Sequence, residues 1–113
     1  MTIDEILSYL ASQASHKPLS RYSSVPNGGG VYCFWYGGRC LYAGMSCSAI
    51  RGRMSSHING NGDSELDQYI AAHKSSAKFS YKILPDQGNY ICRVEVAAIR
   101  RFRPRFNDRI PTC

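Results

Sequence analysis

The chain has 113 residues, of which 43% are hydrophobic and 19% charged. That is enough for one domain with a modest core, and it excludes a disordered chain. Its net charge of +6 suits a polyanionic partner, although a solvated basic surface would look the same. No apolar run approaches the ~20 residues of a membrane span, and Met1 to Leu10 carries Asp4 and Glu5 without a basic region. The expectation is a cytoplasmic protein with no membrane partner.

Residues 3–13 place Ile3, Ile6, Leu7 and Leu10 at helical spacing, with acids in the first turn. Residues 14–29 are rich in Ser, Pro and Gly and read as a loop. Residues 31–36 are β-branched and aromatic, Gly37-Gly38 fits a two-residue turn, and 40–45 form the return strand. Alternation puts Tyr32, Phe34 and Tyr36 on one face of the first strand, and Cys40, Tyr42 and Gly44 together on one face of the second. A helix is expected from about Ala49 to Ile58, capped by Ser46 or Ser48 and stopped by Asn59-Gly60-Asn61-Gly62. The next starts at Asp63 or Ser64 and carries a stripe of Leu66, Tyr69, Ile70 and His73. Residues 77–84 alternate as a third strand, and 90–103 form the last helix, ended by Pro104.

The order is α-β-β-α-α-β-α, an α/β (α+β) fold with one small, mostly antiparallel sheet covered by helices. Residues 1–27 read as an N-terminal helix and loop, and 28–113 as the core of a single domain.

Five cysteines with no C-x-x-C pair argue against a disulfide framework and a structural zinc site. Cys33, Cys40 and Cys47 read as reduced packing residues.

The last helix carries an anomaly. Ile91, Glu95, Ala98, Ile99 and Phe102 share one stripe, so Glu95 is an acid among apolar side chains. A carboxylate there needs a partner. Either an Arg or a tyrosine hydroxyl pairs with it, or it holds a hard cation. Mg2+ uses one or two protein carboxylates and completes its shell with water and phosphate. Arg53 and His57 are four residues apart and share a helix face, which is either a phosphoryl clamp beside a proton carrier or a plain basic surface. Arg39 and Arg51 add charge near the hairpin, and six arginines fall between Arg93 and Arg109, Arg101 and Arg105 among them. His16 and His73 lack matching partners and read as structural or surface, and Trp35 reads as core. There is no P-loop: the Gly28-Gly29-Gly30 run precedes a strand, not a helix, so no nucleotide cofactor is expected.

Gly30-Val31-Tyr32 and Tyr42-Ala43-Gly44, followed by Arg53, His57, Glu95 and Asn107 in order, resemble the GIY-YIG nuclease family. The resemblance covers roughly residues 28–108. The second signature departs at Ala43, and Met45 stands where excision-repair members carry a Lys. The resemblance implies a three-stranded antiparallel sheet flanked by helices, and a DNA endonuclease using one divalent ion, Mg2+ or Mn2+. It implies Glu95 as the metal ligand, Arg53 as the stabiliser of phosphoryl charge, and Tyr32 as general base ahead of Tyr42. His57 would be a proton relay and Asn107 an orienting residue. Gly30 and Gly44 are the structural glycines of the motif. The DNA, duplex or branched, would be gripped by Arg39, Arg51, Arg53, Arg101 and Arg105. The chain has no room for a recognition domain, so targeting would fall to DNA structure, a homodimer or a partner. The alternatives are a catalytically silent nucleic-acid-binding module and an accessory domain of a repair or restriction complex.

Overall fold

The computed structural model describes residues 1–60 and 64–113. The Asn61-Gly62 half of the expected helix stop, and Asp63 as a helix start, lie outside the described residues.

Helix α1, Ile3–Ala11, opens on a capping box: the Thr2 hydroxyl accepts the Glu5 N–H, and the Glu5 carboxylate accepts the Thr2 N–H. The expected 14–29 loop is more ordered than its composition suggests. It holds 3-10 turns at Gln13–Ser15 and Leu19–Ser24 and, between them, a two-residue strand β1, Lys17–Pro18. The sheet therefore has four strands, not three. Strand β1 is too short to show a period, and Pro18 has no N–H to donate, which confines it to an edge.

The other strands are β2, Gly30–Tyr36, β3, Arg39–Ser46, and β4, Lys78–Ile83, in the spatial order β1-β4-β2-β3, with every pairing antiparallel. Strand β2 is bonded on both sides. Gly30 at its start is buried, and a Cβ there would run into the Lys82 carbonyl oxygen.

The β2–β3 turn has φ of 58° at Gly37 and 77° at Gly38, the paired positive values of a type I′ hairpin. Beyond it, Tyr36 pairs with Arg39 and Trp35 with Cys40, but Phe34 pairs with Tyr42. Leu41 is an extra residue, a β-bulge. This corrects the expected facing. Cys40 joins the core that holds Cys33 and Trp35, whereas Leu41 and Tyr42 both turn to the opposite face. Unbroken alternation from the turn would have put Tyr42 opposite Cys33, away from Tyr32. The bulge brings the two tyrosines together.

Two cores follow from β2. Val31, Cys33 and Trp35 pack against α1 and against α4, Tyr90–Phe102. Tyr32 and Phe34 pack against α2, Ile50–Ile58, and α3, Glu65–Ala72. Helix α2 has no side-chain cap, but the Ser46 hydroxyl accepts the Ala49 N–H at 2.9 Å just ahead of it. Ser64 caps α3. Trp35 is core, its indole N–H donating to the Ser80 hydroxyl, which donates to the Leu10 carbonyl. His16 stacks on Trp35, and His73 stacks on Tyr69.

After α4 the tail runs along the free edge of β3. The Arg105 and Phe106 amides donate to the Cys40 and Leu41 carbonyls at 3.2 and 2.9 Å. A disulfide joins Cys92 to Cys113, where no disulfide was expected; their spacing of 21 residues matches no sequence signature. Cys33 and Cys40 are buried, but Cys47 is exposed and so is not a packing residue. Among the described residues no helix is long and apolar enough to cross a membrane.

Candidate active site

Tyr32, Tyr42 and His57 form an aromatic triangle. The Tyr32 ring centroid lies 6.3 Å from that of Tyr42 and 6.2 Å from that of His57, and Tyr42 and His57 are 5.2 Å apart. Tyr32 is 2% exposed, whereas Tyr42 is only partly buried. Gly44, paired with Tyr32 across the hairpin, makes room for them. A Cβ there would stand 2.6 Å from the Tyr32 hydroxyl oxygen and 2.8 Å from the Tyr42 ring. The Tyr32 phenol thus passes over bare backbone toward the sheet's free edge. Any larger residue at 44 would have to push a ring aside.

His57 is held from behind. Its Nδ1 lies 2.9 Å from the Asp67 carboxylate, with both side chains mostly buried. A carboxylate on one ring nitrogen fixes the ring's orientation and favours a proton on that nitrogen. Asp67 is the site residue that the sequence reading missed. Its partner lies on another helix, and the spacing of ten residues has no helical or strand meaning. The available signal was Ser64-x-x-Asp67, a helix start with an acid in its first turn, which says nothing about His57.

Glu95 lies in the buried stripe of α4 and is 7% exposed. Among the described residues no hydrogen bond or ion pair reaches its carboxylate. The ion pair with an Arg, one of the two alternatives left open by the sequence, does not form, although the Arg53 charge is close enough to act on it. Burial raises the Glu95 pKa to about 7, and Arg53 opposes that shift. Burial is also the main influence raising both phenols, strongly so for Tyr32. For Tyr32, Tyr42 and then Glu95 add to the rise, for Tyr42 Glu95 and Asp67 do, and Arg53 lowers each. Glu95, Arg53, Tyr32 and Tyr42 therefore sense one another's charge, although Glu95 belongs to the helix on the other face of the sheet.

Asn107 lies between the tail and β3. Its side-chain carbonyl accepts the Ala43 N–H at 2.9 Å, and its amide donates to the Ala43 carbonyl at 3.0 Å. It therefore braces the strand between Tyr42 and Gly44. Tyr42, His57, Phe106 and Asp108 line a cleft of roughly 510 Å³.

The expected nucleic-acid contacts are dispersed. Arg53 is exposed beside the tyrosines. Arg51 is exposed and its guanidinium is 3.4 Å from the Val25 carbonyl. Arg39 is at the hairpin tip, and Arg105 stacks over Tyr69 and Phe106. Arg101 is elsewhere, paired with Asp4 at 2.7 Å on the α1–α4 side.

A single carboxylate on a buried side chain, its oxygens reaching the surface, suits one divalent ion. Among the described residues no three His, Cys, Asp or Glu side chains cluster to cage a metal. A cation at Glu95 would take the rest of its shell from water and phosphate, as Mg2+ commonly does. The lack of a protein partner for a buried carboxylate fits that donor set.

The antiparallel sheet flanked by helices matches the GIY-YIG domain fold, with four strands where three were expected. The solved structures that share it include the GIY-YIG N-terminal endonuclease domain of UvrC from Thermotoga maritima bound to its catalytic divalent cation, magnesium. That domain is 20% identical, with a TM-score of 0.63 over 78% of this chain and 92% of that one. Asparagine-to-alanine and tyrosine-to-phenylalanine mutants of the same domain, also bound to the divalent cation, match at TM-score 0.65. They are 20% and 21% identical over 80% of this chain and 93% of theirs. No family model matches the chain, and no curated protein matches it in sequence.

Proposed function

We propose that this chain is a divalent-metal-dependent DNA endonuclease that hydrolyses phosphodiester bonds. One observation carries the reading: a buried carboxylate, Glu95, without a hydrogen-bonding or ionic partner among the described residues, beside an exposed Arg53 and two phenols. The fold shared with a magnesium-bound endonuclease domain supports it.

Glu95 holds one Mg2+ or Mn2+. The ion, when bound, polarises the scissile phosphate and stabilises the departing oxygen. Arg53 is free to fork onto the phosphoryl oxygens and stabilise the charge that builds there. Tyr32 takes the proton of the attacking water as its phenolate, its own proton having first passed toward Tyr42 and His57. Its phenol is held high chiefly by burial, then by Tyr42 and Glu95, with Arg53 opposing, so neutralising Glu95 removes one of the smaller influences against ionisation. Tyr42, more exposed and next to His57, passes the proton outward or positions the water. Asp67 orients the imidazole for that transfer, and Asn107 keeps β3 in register with the site.

The test is a nicking assay. Supercoiled plasmid is incubated with the protein and Mg2+ or Mn2+, with an EDTA control and with Glu95→Ala and Arg53→Ala. Metal-dependent nicking that is lost in both variants, with their circular dichroism unchanged, supports the reading. Wild-type rates in either variant at saturating metal would sink it. DNA binding without any nicking would favour a silent binding module.

A further inference from the structure

On the hairpin-tip side of the tail, a groove of roughly 630 Å³ opens between β2, β3 and the end of α4. Tyr36, Arg39, Tyr69, Arg103 and Arg105 line it, together with apolar side chains and the Gly38 backbone, and no carboxylate does. Arg39, Arg103 and Arg105 are all exposed, and among the described residues none of them is in an ion pair. The Arg105 guanidinium is already placed, 4.8 Å over the Tyr69 ring and 5.1 Å over that of Phe106. Phe106 also lines the cleft that holds Tyr42 and His57, so groove and cleft are neighbours.

Arg103 has a second peculiarity. It ends α4 in the left-handed region, at φ 46° and ψ 61°, and is the one non-glycine residue with positive φ among the described residues. Helices commonly end on such a residue, but glycine usually takes the position because it has no Cβ to strain. The next residue is Pro104, which further disfavours helical backbone before it. An arginine is held where glycine would be cheaper, on the rim of a groove without acids.

We propose that this groove is a second phosphodiester-backbone site, gripping the nucleic-acid strand away from the phosphate that Glu95, Arg53 and the two tyrosines would act on. The inference rests on the endonuclease reading for its substrate. Arginine forks match phosphate oxygens bidentately, and three of them without acid partners give a strip of positive charge leading to the cleft. The contacts carry no base information, so they position a strand without selecting its sequence.

The test is fluorescence anisotropy with a labelled duplex of about 20 base pairs in EDTA, titrated with salt. Arg39→Ala, Arg103→Gly and Arg105→Gln should each weaken binding about 3–10-fold and reduce the slope of log affinity against log salt by about 1. Arg100→Ala, an exposed arginine of α4 outside the groove, should stay within about twofold. Arg103→Gly should at the same time raise Tm by roughly 2–5 °C, because the left-handed strain is relieved. Unchanged affinity and slope in the three variants overturn the groove, as does the absence of any DNA binding. A lowered Tm in Arg103→Gly overturns the argument from strain. The plasmid assay separates the two proposals. Nicking that persists with affinity indifferent to these arginines rejects the groove alone, whereas arginine-dependent binding by a chain that never nicks rejects the endonuclease alone.

Discussion

The two faces of β2 are made from alternate residues of one seven-residue strand, and they differ in kind. Val31, Cys33 and Trp35 face α1 and α4 in a closed, apolar core, where the one polar chain, Trp35 to Ser80 to Leu10, is fully hydrogen-bonded. Tyr32 and Phe34 face α2 and α3 among phenols, an imidazole and the exposed Arg53. Glu95 of α4 apart, the first face satisfies its polar groups internally. The second holds a buried phenol and a cation that does not pair with it, and Glu95 acts on both from α4, across the sheet. Stability should therefore be concentrated on the first face and chemistry on the second.

The comparison can be broken experimentally. The largest effect expected is on the reacting groups: Glu95→Ala should lower plasmid nicking at least about a thousandfold, or ~4 kcal/mol of barrier, without unfolding the chain. Trp35→Ala, on the closed face, should cost about 3–5 kcal/mol in urea denaturation through its cavity and the lost hydrogen bond to Ser80, whose hydroxyl still donates to Leu10. At stabilising temperature it should still nick. If Trp35→Ala removed nicking while the protein remained folded, the division of labour between the faces would be wrong. Gly44→Ala should do some of both. A methyl group against two rings costs about 1–3 kcal/mol in stability, and nicking should fall about a hundredfold as the phenols shift.

The smallest effect concerns pH. The native pKa of Glu95 is raised to about 7 from an ordinary carboxylate value. The folded state therefore binds more protons than the unfolded state between about pH 4.5 and 7, and stability falls as pH rises through that window. In EDTA, Tm should decline from pH 5 to pH 8. Glu95→Gln should flatten that decline and be more stable at pH 8 by about 1–2 kcal/mol, allowing for partial solvent screening. Mg2+ at pH 8 should raise the Tm of the wild type and leave the variant unchanged. An equally steep decline in Glu95→Gln would assign the pH dependence to another group.

Much of this was legible in the sequence, for physical reasons that can be named. The α4 stripe is long enough for its period to be unmistakable, so Glu95 stood out as an acid among apolar residues and is buried. The Gly37-Gly38 turn was readable because few other pairs tolerate two positive φ values. The features that escaped depend on distance or on length. The two residues of β1 carry no period. The pairing of Asp67 with His57 and that of Cys92 with Cys113 join residues that meet only after folding. The four-strand sheet follows from β1 alone. The Thr2–Glu5 capping box, by contrast, was visible as T-x-x-E and was overlooked.

The bulge at Leu41 can be restated as a parity rule. In a regular hairpin the numbers of two facing residues have a constant sum. Here Tyr36 and Arg39 sum to 75, and Tyr32 and Gly44 sum to 76. The site is counted from Tyr32, not from the turn. Leu41 behaves as an insertion that the strand has absorbed. Excising it should let the ladder close with Tyr42 still opposite Phe34 and Gly44 still opposite Tyr32. Excising Ala43 instead breaks the parity, and either Tyr42 or Gly44 must leave the face that Tyr32 occupies. Single-residue length changes thus spare the register on one side of Tyr42, at the cost of the buried Leu41 side chain, and break it on the other, within the same eight-residue strand.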